Sequence, residues 1–157
     1  MATEAAERIG SERELGHRIM EGLGGSRLLQ GVSMDSPQAI VRLMRHGLPV
    51  DSADYAREHL GLSHHVFDSV LPRTTLISAR KSKSRTLSKS VSENLFRLAR
   101  LVAVAEEAFG DDAAAQQWMT TANPVFDDEA PGTLADTEAG AAWVEAVLMR
   151  MMYGVDA

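Results

Sequence analysis

The amino-acid sequence predicts an all-α fold, and three features carry that expectation. Apolar residues recur at helical spacing, most clearly through Val91, Leu95, Leu98, Val102, Ala105 and Phe109, at steps of 4, 3, 4, 3 and 4. Residues that start and stop helices bracket these stretches, with Ser or Asp ahead and Gly or Pro behind. No stretch of alternating apolar and polar residues makes a convincing strand.

The elements follow in order. Ala5 to Gly22 forms an amphipathic helix on Ile9, Leu15, Ile19 and Met20, and Gly22-Leu23-Gly24-Gly25-Ser26 then reads as a flexible joint. Ser36 and Pro37 supply an N-cap and a first-turn proline for a helix through Ile40, Val41, Leu43 and Met44 that stops at Gly47. Pro49, Asp51 and Ser52 restart the chain into a helix ending near Leu60 and Gly61. Ser63 caps a short helix through Val66, Phe67 and Val70, which Pro72 stops. Arg73 to Arg85 combines one or two helical turns with a polar, basic tail. Ser88 or Ser90 opens the longest helix, which Phe96, Leu101 and Val104 widen so that it is buried on more than one side, and Gly110 ends it. Asp111 and Asp112 cap a further turn toward Trp118. A loop with Asn123-Pro124 and Pro131-Gly132 follows, and Asp136 or Thr137 begins a last helix with Trp143, Val144, Val147, Leu148 and Met151.

Composition narrows the class. The chain has 157 residues, 45% hydrophobic and 24% charged, which are globular values. It has no cysteine, which removes disulfides, thiolate zinc sites and a cysteine nucleophile. No apolar run is long enough to span a bilayer, and Glu4, Glu7, Glu12 and Glu14 occupy the place of a signal's basic and apolar start, so a cytoplasmic protein is expected.

Charge is unevenly spread. Met1 to Pro72 carries a net −3, Arg73 to Arg100 a net +7 with Glu93 its only acid, and Leu101 onward a net −10 with Arg150 its only base. A dipole this steep points to two different partners. Catalysis is not expected. The five histidines lack the spacing of a metal pair, Gly22-Leu23-Gly24-Gly25 follows no strand, and neither a Gly-x-Ser-x-Gly elbow nor a phosphate-binding loop is present. No metal and no cofactor are expected.

The basic segment fits a helix-turn-helix, in which one helix braces a second whose side chains enter the major groove. Two registers compete, with residues 64–71 or 73–83 as the reader. The second is preferred, because His64, His65, Asp68 and Ser69 make a poor, partly acidic reader. It places Arg73, Thr74, Thr75, Ser78, Arg80 and Lys81 in the groove, with Lys83 and Arg85 near phosphate. The weak point is the turn, since Leu71-Pro72-Arg73 has no glycine to make a left-handed conformation inexpensive.

From about Pro72 to its end the chain resembles the Xre/MbcA/ParS antitoxins. The residues that carry the likeness are Thr74-Thr75-Leu76 with Arg80-Lys81, Leu87-Ser88, and Ser92-Glu93-Asn94-Leu95-Phe96-Arg97-Leu98-Ala99-Arg100. Then come Phe109-Gly110, Ala115-Gln116-Gln117-Trp118, Asn123-Pro124, Pro131, Leu134, Gly140, Val144, Leu148 and Tyr153-Gly154, in order. The loop after Asn123-Pro124 departs from the family's Gly-Gly and basic residue, having Asp127-Asp128-Glu129 instead.

The resemblance implies an antitoxin that covers an NAD-consuming RES-domain toxin encoded in the same operon. It further implies a homodimer that binds the operon's own promoter DNA and no membrane, and a protein that is not itself an enzyme. The implied organisation is an N-terminal extension over 1–30, flexible or helical. An Xre/Cro-like helix-turn-helix and dimerisation region over 31–86 packs with a toxin-binding domain over 87–157. Toxin contacts are expected at Trp118, Asn123, Phe126, Asp127 and Asp128, and at Tyr153, Gly154, Val155, Asp156 and Ala157, whose acidic end suits a cleft built for an anionic diphosphate. Trp143 is expected inside and Phe126, in its acidic loop, outside. The alternative is a stand-alone helix-turn-helix regulator with a ligand-sensing C-terminal domain.

Overall fold

Helix-starting residues act where the sequence places them. In the computed structural model, which describes residues 1–154 apart from the side chain of Ile9, Ser88 Oγ accepts from Val91 N at 3.3 Å and Thr137 Oγ1 from Gly140 N at 2.9 Å. The helices are α1 (Ala2–Gly22), α2 (Gly25–Leu29), α3 (Pro37–His46), α4 (Val50–His59), α5 (His64–Val70), α6 (Arg73–Lys81), α7 (Lys89–Phe109), α8 (Asp112–Thr120) and α9 (Glu138–Tyr153). Two 3-10 helices, Pro124–Phe126 and Pro131–Asp136, lie between α8 and α9. Among the described residues no strand forms, only isolated bridges from Pro49 to Thr86 and Asn123 to Glu129. The fold is all-α, as expected. No described helix is long and apolar enough to cross a membrane.

α7 is the axis of the molecule. Its apolar stripe is wide enough that Leu101, Val102, Ala103, Val104 and Ala105 are all buried in succession, so it meets neighbours on every side. α1, α3, α5, α8, α9 and the second 3-10 helix all pack on it. One hydrophobic cluster therefore runs from Ile19 in α1 to Leu148 in α9.

Two local features differ from expectation. Residues 22–26 form no loose joint. Leu23 is fully buried, Gly24 takes φ +106°, and Gly25 already begins α2, so the glycines make a sharp corner held by Leu23 and Leu29 in the core. The turn between α5 and α6 also needs no glycine. Leu71 (φ −124°) and Pro72 (φ −59°) pass through ordinary extended conformations, and buried Leu71 fixes their direction.

The α3–α4 corner is anchored to α7 and its lead-in. Gly47 has φ +99°, and a Cβ there would lie 2.2 Å from the carbonyl oxygen of Leu87. Leu48 N donates to Ser92 Oγ at 2.8 Å, Leu87 N to Leu48 O at 2.8 Å, and Val50 N to Arg85 O at 2.9 Å. The basic tail after α6 is thereby pinned beside the start of α4.

Candidate nucleic-acid and partner surfaces

α6 turns one face inward and offers the rest to solvent. Leu76 is its buried anchor and α4 its neighbour. Arg73, Thr74, Ile77, Ser78, Arg80 and Lys81 are exposed, as are Lys83 and Arg85 in the tail, while Thr75 is half-buried. Ile77, an apolar residue with no local signal to set it outside, is 47% exposed amid these polar residues. α5, the competing reader, buries Val66, Phe67 and Val70 and packs on the second 3-10 helix, leaving His64, His65 and Ser69 outward.

The arginines of this surface are held by carboxylates. Arg73 pairs with Asp68 at 3.0 Å, Arg80 with Asp54, and Arg85 with Asp51 at 3.3 Å. Asp68 also pairs with Arg57, whose guanidinium lies over the Phe67 ring. The hydrogen bond from Arg57 holds the Asp68 carboxyl below its ordinary range, with Arg73 adding to it against a smaller effect of burial. Among the described residues Lys81 and Lys83 form no ion pair, which leaves both free to meet phosphate.

The +7 segment is not one surface. Arg97 points the other way, donating to the carbonyl oxygens of Ala135 at 3.2 Å and Asp136 at 3.4 Å, and Arg100 pairs with Glu145 at 2.8 Å. Both arginines tie α7 to the C-terminal elements.

The C-terminal part is organised around four aromatic rings. Phe109 meets Trp118 with centroids 5.7 Å apart, Trp118 meets Phe126 edge-on at 5.8 Å, and Phe126 meets Trp143 edge-on at 5.1 Å. Phe126 is only 1% exposed and Trp143 is 40% exposed, the reverse of the expectation. The loop turns back on itself through Asn123 and drives Phe126 inward. Asn123 Oδ1 accepts from Val125 N at 3.0 Å, and its main-chain oxygen accepts from Phe126 N and Asp128 N. Asn123 thus builds the loop, while Asp127 and Asp128, at φ +54° and +64°, are exposed on it.

The loop and α9 expose several apolar side chains. Val125 is 54%, Met151 48% and Tyr153 66% exposed, besides Trp143. Residues 143, 147 and 151 share one edge of α9, next to the buried stripe of Val144 and Leu148. That i, i+4, i+8 spacing was present in the sequence as a second stripe beside the core stripe. Gly154 closes α9 at φ +64°, donating to Arg150 O at 2.7 Å. Val155, Asp156 and Ala157, also expected at a partner surface, lie outside the described residues.

Residues 104–154 match the C-terminal toxin-binding domain of the antitoxins Xre/MbcA/ParS. The resemblance to Xre/MbcA/ParS-type antitoxins is borne out. The chain is also 31% identical over 87 residues to Antitoxin Xre of Pseudomonas putida, a stretch that covers 55% of this chain and 54% of that protein. The match thus spans about half the length of the relative. The antitoxin-like segment contains the aromatic ladder, the Asn123 loop and all of α9.

The electrostatics around its first residues are distinct. Arg18 of α1 reaches Glu106 at 2.7 Å and Asp112 at 3.4 Å. Burial raises the Glu106 carboxyl above its usual value and nearby Asp112 adds to the rise, with Arg18 opposing both. Among the described residues no group of three or more His, Asp or Glu could hold a metal ion. His59 stacks on Tyr55 at 3.9 Å and bonds the Tyr55 carbonyl oxygen at 2.8 Å. What these surfaces offer is recognition by contact, apolar at the C-terminal end and cationic along α6.

Proposed function

We propose that this protein is an antitoxin that neutralises a cognate toxin through the outer edge of α9 and the loop beside it. Its target is an NAD-consuming RES-domain enzyme of the same operon, whose active site it covers. The protein is not itself a catalyst. As a homodimer it also binds its operon's promoter through α6 and represses its own synthesis.

The observation that carries this reading is that Val125, Trp143, Met151 and Tyr153, each 40% exposed or more, all fall inside the segment matched to a toxin-binding domain. Large exposed apolar side chains lose their contact with water when a partner covers them, and aromatic residues among them anchor interfaces. Asp127 and Asp128 add negative charge to the loop, suited to a cleft that receives an anionic cofactor. The outward face of α6, with Lys81 and Lys83 free of ion pairs, supports the DNA contact.

The test is co-expression with the neighbouring gene, reading cellular NAD. The wild-type chain preserves NAD, whereas Trp143→Ser combined with Tyr153→Ser loses protection and loses co-purification of the neighbouring product. Deletion of 153–157 reads the part played by the chain's end. Retained protection by the double variant assigns neutralisation to another surface. A neighbouring product that neither binds the chain nor depletes NAD removes the antitoxin reading, and a stand-alone regulator takes its place.

A further inference from the structure

A cleft lies between α2, α3 and the pinned tail after α6, in a part of the chain remote in sequence from α9. Its volume is 680 Å³, within the range that holds a small organic molecule. Leu28, Val32, Leu43 and Pro49 give it apolar walls, and Arg42 and Arg85 bring cations to its rim. Among the described residues Asp51 is the only acid lining it, and that carboxylate is already engaged by Arg85 at 3.3 Å. Arg85 also donates to the Arg80 carbonyl oxygen at 3.4 Å. Arg42 forms no ion pair among the described residues.

The backbone around the cleft is fixed. Gly47 lies against the Leu87 carbonyl where no side chain fits, and the Val50–Arg85 and Leu48–Leu87 hydrogen bonds tie the tail to the α3–α4 corner. A preformed cavity of this kind offers an apolar body a dry wall and its charged end an unpaired guanidinium.

We propose that this cleft binds a small amphipathic anion, a carboxylate or sulfonate on an alkyl or aryl body, with Arg42 as the charge partner. Apolar walls set it apart from a surface that meets only nucleic-acid phosphate, which gains nothing from Leu28, Val32 and Leu43. Because Arg85 lines the cleft and ends the basic segment, a bound anion stands next to the surface proposed to meet DNA. The site itself does not depend on that reading or on the antitoxin reading.

The experiment is a fluorescence titration of the full chain with 8-anilinonaphthalene-1-sulfonate, followed by displacement with octanoate or 1-octanol. The wild type is expected to bind one saturating equivalent, displaced by octanoate at concentrations where octanol leaves it bound. Arg42→Glu, and Arg42→Gln as a milder second variant, are expected to weaken binding about tenfold, while Arg42→Lys keeps it within a few-fold. Equal displacement by octanol and octanoate overturns the proposal, as does undiminished binding by Arg42→Glu. Loss of the signal in Trp143→Ser places the probe on α9 and overturns it too. A charge reversal at Arg42 that lowers duplex DNA affinity alone assigns the cation to the nucleic-acid surface instead.

Discussion

Ser92 and Ser52 are both fully buried, yet their hydroxyls have different surroundings. Ser92 Oγ accepts from Leu48 N, while Ser52 Oγ has no partner among the described residues. Ser92→Ala leaves a buried N–H unpaired and is expected to cost about 1–3 kcal/mol, whereas Ser52→Ala is expected to be neutral or stabilising. Chemical denaturation midpoints check both, and equal losses would remove the hydrogen-bond explanation. The aromatic ladder gives a similar contrast. Phe126→Ala opens a cavity in contact with two tryptophans and is expected to cost roughly 3–5 kcal/mol, while Trp143→Ser, at a half-open position, costs much less.

Two carboxylates respond to pH in opposite senses. Asp68 is held below its ordinary value by Arg57, so the stability it contributes is present above the unfolded carboxylate range, about pH 4, and is lost as pH falls through its lower folded value. Asp68→Asn is therefore expected to lower the melting temperature at pH 7 and to flatten its decline in acid. Glu106 is raised by burial, so its ionised form weighs against folding at neutral pH and that burden lifts as pH drops through the raised value. Glu106→Gln is expected to melt at or above the wild type at pH 7, with the difference vanishing in acid. A melting temperature that falls at pH 7 would show the Arg18 pairing to outweigh the burial.

At the scale of the element, α6 has the clearest division of labour. The arginines of α6 and the tail after it are engaged by Asp68, Asp54 and Asp51, which fix them on α4 and α5, and among the described residues Lys81 and Lys83 form no ion pair. Lys81→Ala and Lys83→Ala are each expected to weaken promoter binding and lower the salt slope by about one unit. Filter binding or fluorescence anisotropy across a salt series measures both quantities. Unchanged slopes in both variants would take α6 out of the groove.

The boundaries of this helix were legible because Pro72 and the polar tail frame it, and its exposed face was legible from Leu76 alone on the apolar side. The pairing of its arginines was not. Asp51 and Asp54 are distant in sequence from Arg85 and Arg80, and Asp68, though near Arg73 in the chain, belongs to a different helix, so no helical spacing says which charges will meet. The same holds for Arg97 and Arg100, which counted toward one basic run and are tied instead to the C-terminal elements.

On the scale of the whole molecule, α7 joins what the sequence divides. Charge and motif content change near residues 86–100, yet Leu95, Leu98 and Ala99 belong to a single buried cluster shared by elements from both ends of the chain. Urea unfolding of the full chain is expected to show one transition, with far-UV circular dichroism and the fluorescence of Trp118 and Trp143 coincident. A fragment of residues 87–157 is expected to be markedly less stable, because α7 loses α1, α3 and α5 from its sides. Two separated transitions in the full chain would show that the halves fold apart.

By itself the sequence determined the helical class, nearly all helix starts and stops, the long central stripe and the likeness to Xre/MbcA/ParS antitoxins. These are local or ordered properties, since caps, prolines and apolar spacing act within a few residues and motif order needs no contact. Only the tertiary structure decided which aromatic of the C-terminal segment is inside. Phe126 and Trp143 touch, and the turn at Asn123 gives Phe126 the buried side of that contact. The structure likewise decided that Arg73, Arg80 and Arg85 are held while Lys81 and Lys83 are not, and that α2, α3 and a distant basic tail enclose a cleft. Each of those outcomes depends on which surfaces meet when α7 is covered from all sides, and burial and ion pairing act between residues that the chain itself keeps far apart.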